Sequence, residues 1–221
     1  MNPRMALCGV GLALFVGTVF SVPAGAQFFA GIDVSYTETV FRPEYSYAYD
    51  RPNSQYENTA YGVDLDVVGG YRIQPDPMFS FAVAGSLGFS DARWSLRTSD
   101  PDTHLKYSIP YRVFITLQPS VHVTERVRLF GELGGGQGYV EQKKTSDVSS
   151  RYDESTWIWG YRLGAGVGYE LCPGWELALA YRHVSYEKFS YDTHLPDGTH
   201  WETVRDKPYA DNVVLSLTRF W

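Results

Sequence analysis

Eight stretches of this chain alternate apolar residues with small or polar ones at a period of two, a pattern that fits strands with one greasy face. The second stretch shows it most plainly, with Tyr61, Val63, Leu65, Val67 and Tyr71 set against Asp64, Asp66, Gly70 and Arg72. The sixth is as regular: Trp157, Trp159, Tyr161, Leu163, Ala165, Val167, Tyr169 and Leu171 oppose Gly160, Arg162, Gly164, Gly166, Gly168 and Glu170. Strands are expected over about 28–40, 59–74, 79–96, 104–121, 127–144, 156–171, 175–191 and 209–221. In the fourth, Tyr107, Ile109, Tyr111, Val113, Ile115 and Leu117 fall on the apolar face. In the fifth, Gly134-Gly135-Gly136 reads as a bulge that shifts the parity.

The connections alternate as well. Those at 41–58, 97–103, 145–155 and 192–208 are long or moderate and polar, whereas 75–78, 122–126 and 172–174 are tight, with Pro75-Asp76-Pro77 and Pro173-Gly174 as turn signals. An even number of strands with tight turns at one end and longer loops at the other suits an up-and-down barrel crossing a bacterial outer membrane. The charged residues Asp33, Asp64, Asp66, Glu132, Glu170 and Glu176, with Arg72, Arg112, Arg128, Arg162 and Arg182, would then face the lumen. Paired and partly hydrated, they would fill an eight-stranded barrel, which has room for side chains but little for solute flow. A narrow channel would need a continuous wet path past them. Tyr71, Phe79, Tyr169, Trp175 and Trp221 would lie at one membrane interface, and Tyr61, Tyr107, Trp157 and Tyr181 at the other. A soluble β-sandwich would leave that apolar area exposed and would associate.

With 25 acidic residues against 19 basic, the chain lacks a basic footprint for nucleic acid. After residue 22 no run approaches the roughly 18 apolar residues of a membrane-spanning helix. Residues 1–26 read as an export leader: Arg4 is its positive start, Ala6 to Val22 its apolar run, and Ala24-Gly25-Ala26 its cleavage site. A single membrane anchor is the alternative. Cleavage would leave one barrel domain over 27–221, take Cys8 away with the leader and leave Cys172 with no intrachain partner. Loss of Arg4 would move the net charge from −6 to −7.

The last strand, with Val213, Leu215 and Leu217 at alternate positions and Phe220-Trp221 at its end, resembles the carboxy-terminal assembly signal of bacterial outer-membrane barrels; Arg219 departs from that pattern. The run Glu176 to His183 followed by Glu187-Lys188-Phe189 resembles the penultimate strand of the opacity-protein and surface-antigen family. The resemblance implies an all-β, eight-stranded antiparallel transmembrane barrel, recognised by the barrel insertion machinery and surrounded by outer-membrane lipid and lipopolysaccharide. It implies no cofactor. Because that family includes adhesins, immune-evasion proteins and structural barrels, it implies a location more than an activity.

His183 and Ser185 form a His-x-Ser pair that resembles the motif of the outer-membrane lipid A 3-O-deacylases, although Tyr186 stands where asparagine is usual. A serine activated by histidine needs a third group to orient the imidazole. Glu187 on the same strand, Asp211 on the neighbouring strand and Glu202 in a loop are the available acids. The alternative is that these are ordinary polar residues at the membrane interface. His104, His194 and His200, with Asp192 and Asp197, match no tight metal spacing, so no metal site is expected. The glycine triplet opens no helix and lacks a phosphate-loop lysine. Loop one carries Tyr45, Tyr47, Tyr49 and Tyr56, a composition suited to contact with an external protein or glycan. A structural or adhesin-like barrel is thus the leading expectation, a lipid A esterase the runner-up and a narrow channel the third.

Overall fold

A strand whose apolar face meets lipid must satisfy all its backbone polar groups within the sheet, and only a closed sheet does so. The computed structural model describes residues 26–47, 54–55, 57–97, 103–146, 152–194 and 200–221. Its strands are β1 (Ala26–Phe41), β2 (Glu44–Tyr47), β3 (Ser54–Gln55), β4 (Asn58–Ile73), β5 (Phe79–Ser90), β6 (Arg93–Arg97), β7 (Thr103–His122), β8 (Val127–Ser146), β9 (Tyr152–Cys172), β10 (Trp175–Tyr186), β11 (Phe189–His194), β12 (His200–Asp206) and β13 (Tyr209–Phe220). Eight of them close an antiparallel ring in the order β5, β4, β1, β13, β10, β9, β8, β7, with β7 returning to β5. The fold expected from the alternation is therefore the one observed. The leader, Cys8, Tyr49, Tyr56 and Asp197 lie outside the described residues.

Register converts the alternation into two walls. Val34 stands between Leu65 and Leu215 on the outside, while Asp33 stands between Asp66 and Ser216 on the inside. The outward set is apolar and bare: Ile32, Val67, Val83, Leu133 and Leu179 are all about half exposed, and Ile115 is 67% exposed. The tight turns lie at the end shared with Ala26 and Trp221. Asp76 accepts the Met78 N–H (2.8 Å), Thr124 Oγ1 accepts the Val127 N–H (3.0 Å), and Gly174 takes φ +79° between β9 and β10. That conformation is open to glycine and strained for other residues.

Three expectations need correction. The predicted strand 79–96 breaks after Ser90, and its outer part, β6, pairs with β7 alone. The predicted strand 175–191 ends at Tyr186; β11, which begins inside that predicted strand, turns away into a second sheet of order β11, β12, β2, β3, whose other strands come from segments assigned to outer loops. The bulge lies not at the glycine triplet but across the sheet in β7, between Ser108 and Tyr111, where Pro110 has no N–H for the ladder. Gly134, Gly135 and Gly136 keep unbroken register with Thr116, Ile115 and Phe114. Gly134 and Gly136 serve close approach, because a Cβ on Gly134 would sit 2.5 Å from the Thr116 methyl and one on Gly136 would strike the Val113 carbonyl, whereas one on Gly135 would meet nothing nearer than 4.0 Å.

The lumen is layered. At its outer end Phe41, Tyr107, Ile109, Phe114, Val140, Val184 and Tyr186 form an apolar plug. Nearer the other end Phe29 and Phe220, with Val68 and small alanines, and Phe130, with Ala178 and Ala180, make two smaller clusters.

Candidate functional site

The inward charges assemble into two networks. In the wider one Asp66 accepts Arg112 Nη2 at 2.8 Å and Nε at 3.1 Å, and lies 3.5 Å from Arg162 and 3.8 Å from Arg182. Arg112 also pairs with Asp64, and Arg182 donates to Glu132 (2.8 Å). Asp33 Oδ2 lies 2.7 Å from Arg182, close enough for an ion pair though off the line of a hydrogen bond. Arg162, 2% exposed, also donates to Ser86 (3.2 Å) and lies over the Phe114 ring at 4.3 Å. In the second network Glu176 receives two bonds from Arg128 (2.8 and 2.6 Å) and a longer one from Arg72 (3.3 Å). Between the networks a cavity of about 30 Å³ has room for about one water. Glu170 belongs to neither: it is half-buried, lines the vestibule at the tight-turn end and forms no ion pair among the described residues.

Burial of these ions is tolerable because each has an opposite charge within ion-pair distance, although Asp33 Oδ2, Asp64 Oδ1, Arg72 Nε, Arg128 Nη1 and Arg162 Nε find no hydrogen-bond partner among the described residues. Partners come from β1, β4, β7, β8, β9 and β10, so the network ties opposite walls together and spans the lumen.

Of the aromatics assigned to the interfaces, Tyr61, Trp157 and Tyr181 face outward at the loop end, and Tyr71, Phe79, Tyr169, Trp175 and Trp221 at the turn end. Phe28 stacks on Trp221 and meets Tyr71 edge-on, both with ring centroids 5.5 Å apart. Tyr107 is a correction. It is 1% exposed and lies in the lumen plug, its hydroxyl 2.9 Å from that of Tyr191, because the β7 bulge reverses the parity below it. In the assembly segment Val213, Leu215, Leu217 and Trp221 face outward, but Phe220 turns inward beneath Arg72, whose guanidinium is 3.9 Å from the ring centre. Arg219 takes the outward position and lies 5.3 Å over Trp175.

On the outer wall, β10 and β13 bring His183 directly opposite Asp211, and His183 Nδ1 lies 2.8 Å from Asp211 Oδ1. The Tyr181 hydroxyl donates to the same oxygen. Of the candidate acids, then, Asp211 reaches the imidazole. Glu187 does not: its side chain is exposed, and its N–H bonds the Trp159 carbonyl. The side chain of Glu202 lies outside the described set. Ser185 follows on the same face, 6% exposed, but no hydrogen bond among the described residues joins it to His183. Its strand pairs on both sides, with Tyr161 and Tyr209, so the ladder uses the backbone amides that elsewhere form oxyanion holes.

Beyond the wall stands the outer sheet, in which Val204 pairs with Tyr191 and Tyr45, and Arg205 with Glu44. Lys188 Nζ donates to Glu44 (2.7 Å) and holds that exposed carboxyl below its ordinary value. At its base Asp206 is fully buried, with Oδ1 accepting the Arg42 N–H at 2.8 Å and Oδ2 unpartnered among the described residues. Burial pushes this carboxyl up to about 6, aided by nearby Glu44 and opposed by the Arg42 and Lys207 amides. A carboxyl whose folded pKa exceeds the ordinary 3.8 favours the protonated state, so the outer sheet should gain stability as pH falls through 6 and level off below 4. Hydrogen exchange of β2 and β12, corrected for intrinsic rates, reads this directly. Asp206→Asn should flatten the profile.

The sheet and the apolar plug both escaped sequence reading. The signals present were short: Tyr45 and Tyr47 alternate within loop one, and inward Val140, Ile158 and Val184 continue the strands past the charged layer. Among the described residues no group of three His, Cys, Asp or Glu side chains is placed to hold a metal ion.

A family model described as outer membrane protein beta-barrel domain matches residues 12–217. No curated protein matches the chain. Among solved structures, the outer membrane protease OmpT from Escherichia coli superposes with a TM-score of 0.53 at 9% identity, covering 88% of this chain and 97% of that one. Neisserial surface protein A gives 0.45 at 18% identity, over 88% and 98% of the two chains. OprG from Pseudomonas aeruginosa gives 0.43 at 12%, over 85% and 95%. At these identities the likeness to OmpT is one of fold.

Proposed function

The chain belongs to the outer membrane protein β-barrel family, and from that membership we propose that it is a closed, non-conducting barrel that holds a folded interaction surface outside the bacterial outer membrane. The supporting observation is the second sheet: β2 and β3 from one connection and β11 and β12 from another pair into four strands where loose loops would suffice for a bare anchor. A pre-ordered surface binds at lower entropic cost than a loop that must order on contact. Non-conduction is supported by the ion pairs that cross the lumen and by the apolar plug above them. In this proposal the first 26 residues act as a cleaved export leader.

The His183–Asp211 pair favours a second function. With Asp211 orienting the imidazole, Ser185 Oγ would attack the ester carbonyl of an outer-leaflet lipid and pass its proton to His183. His183 would return that proton to the departing alcohol, and water would then release the acyl group. The two functions separate in one experiment on cells expressing the wild type, a variant with 44–55 and 189–206 replaced by short Gly-Ser turns, and Ser185→Ala. Heat-modifiable gel migration confirms folding in each, and cells are scored on arrayed extracellular-matrix proteins and sulfated glycans and for lipid A composition by mass spectrometry. Loss of array binding in the trimmed barrel, with lipid A alike in all strains, is the expected result. Undiminished binding after trimming overturns the display role, and an acyl loss dependent on Ser185 replaces it with hydrolysis.

A further inference from the structure

We propose that a groove on the outer wall, where β10 and β12 meet the end of β1, binds the phosphorylated headgroup of an outer-leaflet glycolipid. The groove is about 500 Å³ and is lined by Arg42, Lys188, Arg205 and Lys207 together with His183 and Tyr209. Four cations line it with Glu44, and Glu57 pairs with Arg42 from beside the lining, so four cations against two acids leave a local excess of positive charge on a chain whose net charge is −6. Such a concentration selects an anion, and it works against the overall charge of the molecule. Arg42 is paired with Glu57 and Lys188 with Glu44, but among the described residues Arg205 and Lys207 form no ion pair and both are exposed. Arg205 acts on Glu44 only through space from across the strand pair, so these two are the least neutralised cations of the groove.

Its position favours a lipid over an acidic peptide. Tyr181, His183 and Ser185 follow one another on the outward face of β10, so the groove begins one step beyond the aromatic ring that marks the hydrocarbon edge. A successive outward residue lies about 7 Å further along a strand, which is headgroup depth. A second hollow of about 580 Å³ shares Ser185, Lys188 and Lys207 and adds Trp159, Tyr161 and, at its exposed rim, the carboxylate of Glu187. Its rings offer an apolar wall beneath the cations, suited to the first methylenes of acyl chains. Ser185 lines both hollows, and its hydroxyl makes no hydrogen bond among the described residues, so that group is available to the headgroup.

The inference is independent of the display role, because Arg205→Gln with Lys207→Gln leaves the outer sheet in place. Purified full-length barrel in neutral detergent is titrated with bisphosphorylated lipid A by native mass spectrometry, alongside the double variant and Arg126→Gln at a distant turn, each checked by heat-modifiable migration. The double variant should bind about 30-fold more weakly, as expected for two interfacial cations, and the deficit should shrink with salt. Arg126→Gln should bind like the wild type, and enzymatic removal of both phosphates should weaken binding at least as much as the double variant does. Equal affinity for the double variant or for dephosphorylated lipid overturns the proposal. Displacement by inorganic phosphate at equal concentration, or tighter binding of an acidic peptide, overturns it in favour of a free-anion or protein site.

Discussion

Asp66→Ala should cost the barrel about 3–5 kcal/mol, read as a shift in reversible urea unfolding from lipid vesicles. Asp66 stands at the centre of the lumen network, bonded to Arg112 and within ion-pair distance of Arg162 and Arg182, and it is 1% exposed. Deleting its carboxylate removes two acceptors at once and leaves the three guanidiniums to Asp33, Asp64 and Glu132. The cost comes mainly from positive charge left uncompensated out of bulk water rather than from the lost bonds themselves. Asp66→Asn keeps the shape and one acceptor, so it should fall between the alanine variant and the wild type. A loss below about 1 kcal/mol for the alanine variant would mean that water penetrates the lumen and screens the arginines. The lumen would then be wet rather than closed.

Ile115→Arg should destabilise by about 2–4 kcal/mol in the same assay, whereas Val123→Arg should cost about 0–1 kcal/mol. Both side chains are exposed, at 67% and 58%, and on a water-soluble protein both changes would be nearly neutral. The difference is depth. Ile115 lies midway along β7, between Tyr111 at the outer aromatic ring and Val121 near the turn, while Val123 sits in the turn itself. An arginine at the first position must extend through hydrocarbon to reach water; at the second it is already there. Equal small effects at both positions would show that the apolar wall faces water, and the barrel would need a different solvent.

How far the sequence reaches follows from what each interaction depends on. The alternation of Tyr61, Val63 and Leu65 with Asp64 and Asp66 is a local property of an extended chain, in which neighbouring side chains leave on opposite faces. Strand number, the inside-out sense of the barrel, the tight turns at 75–78, 122–126 and 172–174, and the set of inward charges could all be read from that pattern. It failed at Tyr107, where one bulge in β7 moves two apolar side chains to the lumen, and at residues 187–191, where β10 ends and the chain joins another sheet. Each failure concerns pairing with a partner distant in sequence. Asp211 rather than Glu187 reaches His183 because the β10–β13 register places it opposite, and register is set by closure of the whole ring. The groove likewise joins residues from the two ends of the chain, Arg42 beside Lys188, Arg205 and Lys207. By itself the sequence determined the wall, because side-chain parity needs only the chain; the tertiary structure alone decided the partners, because register and ring closure need every strand in place.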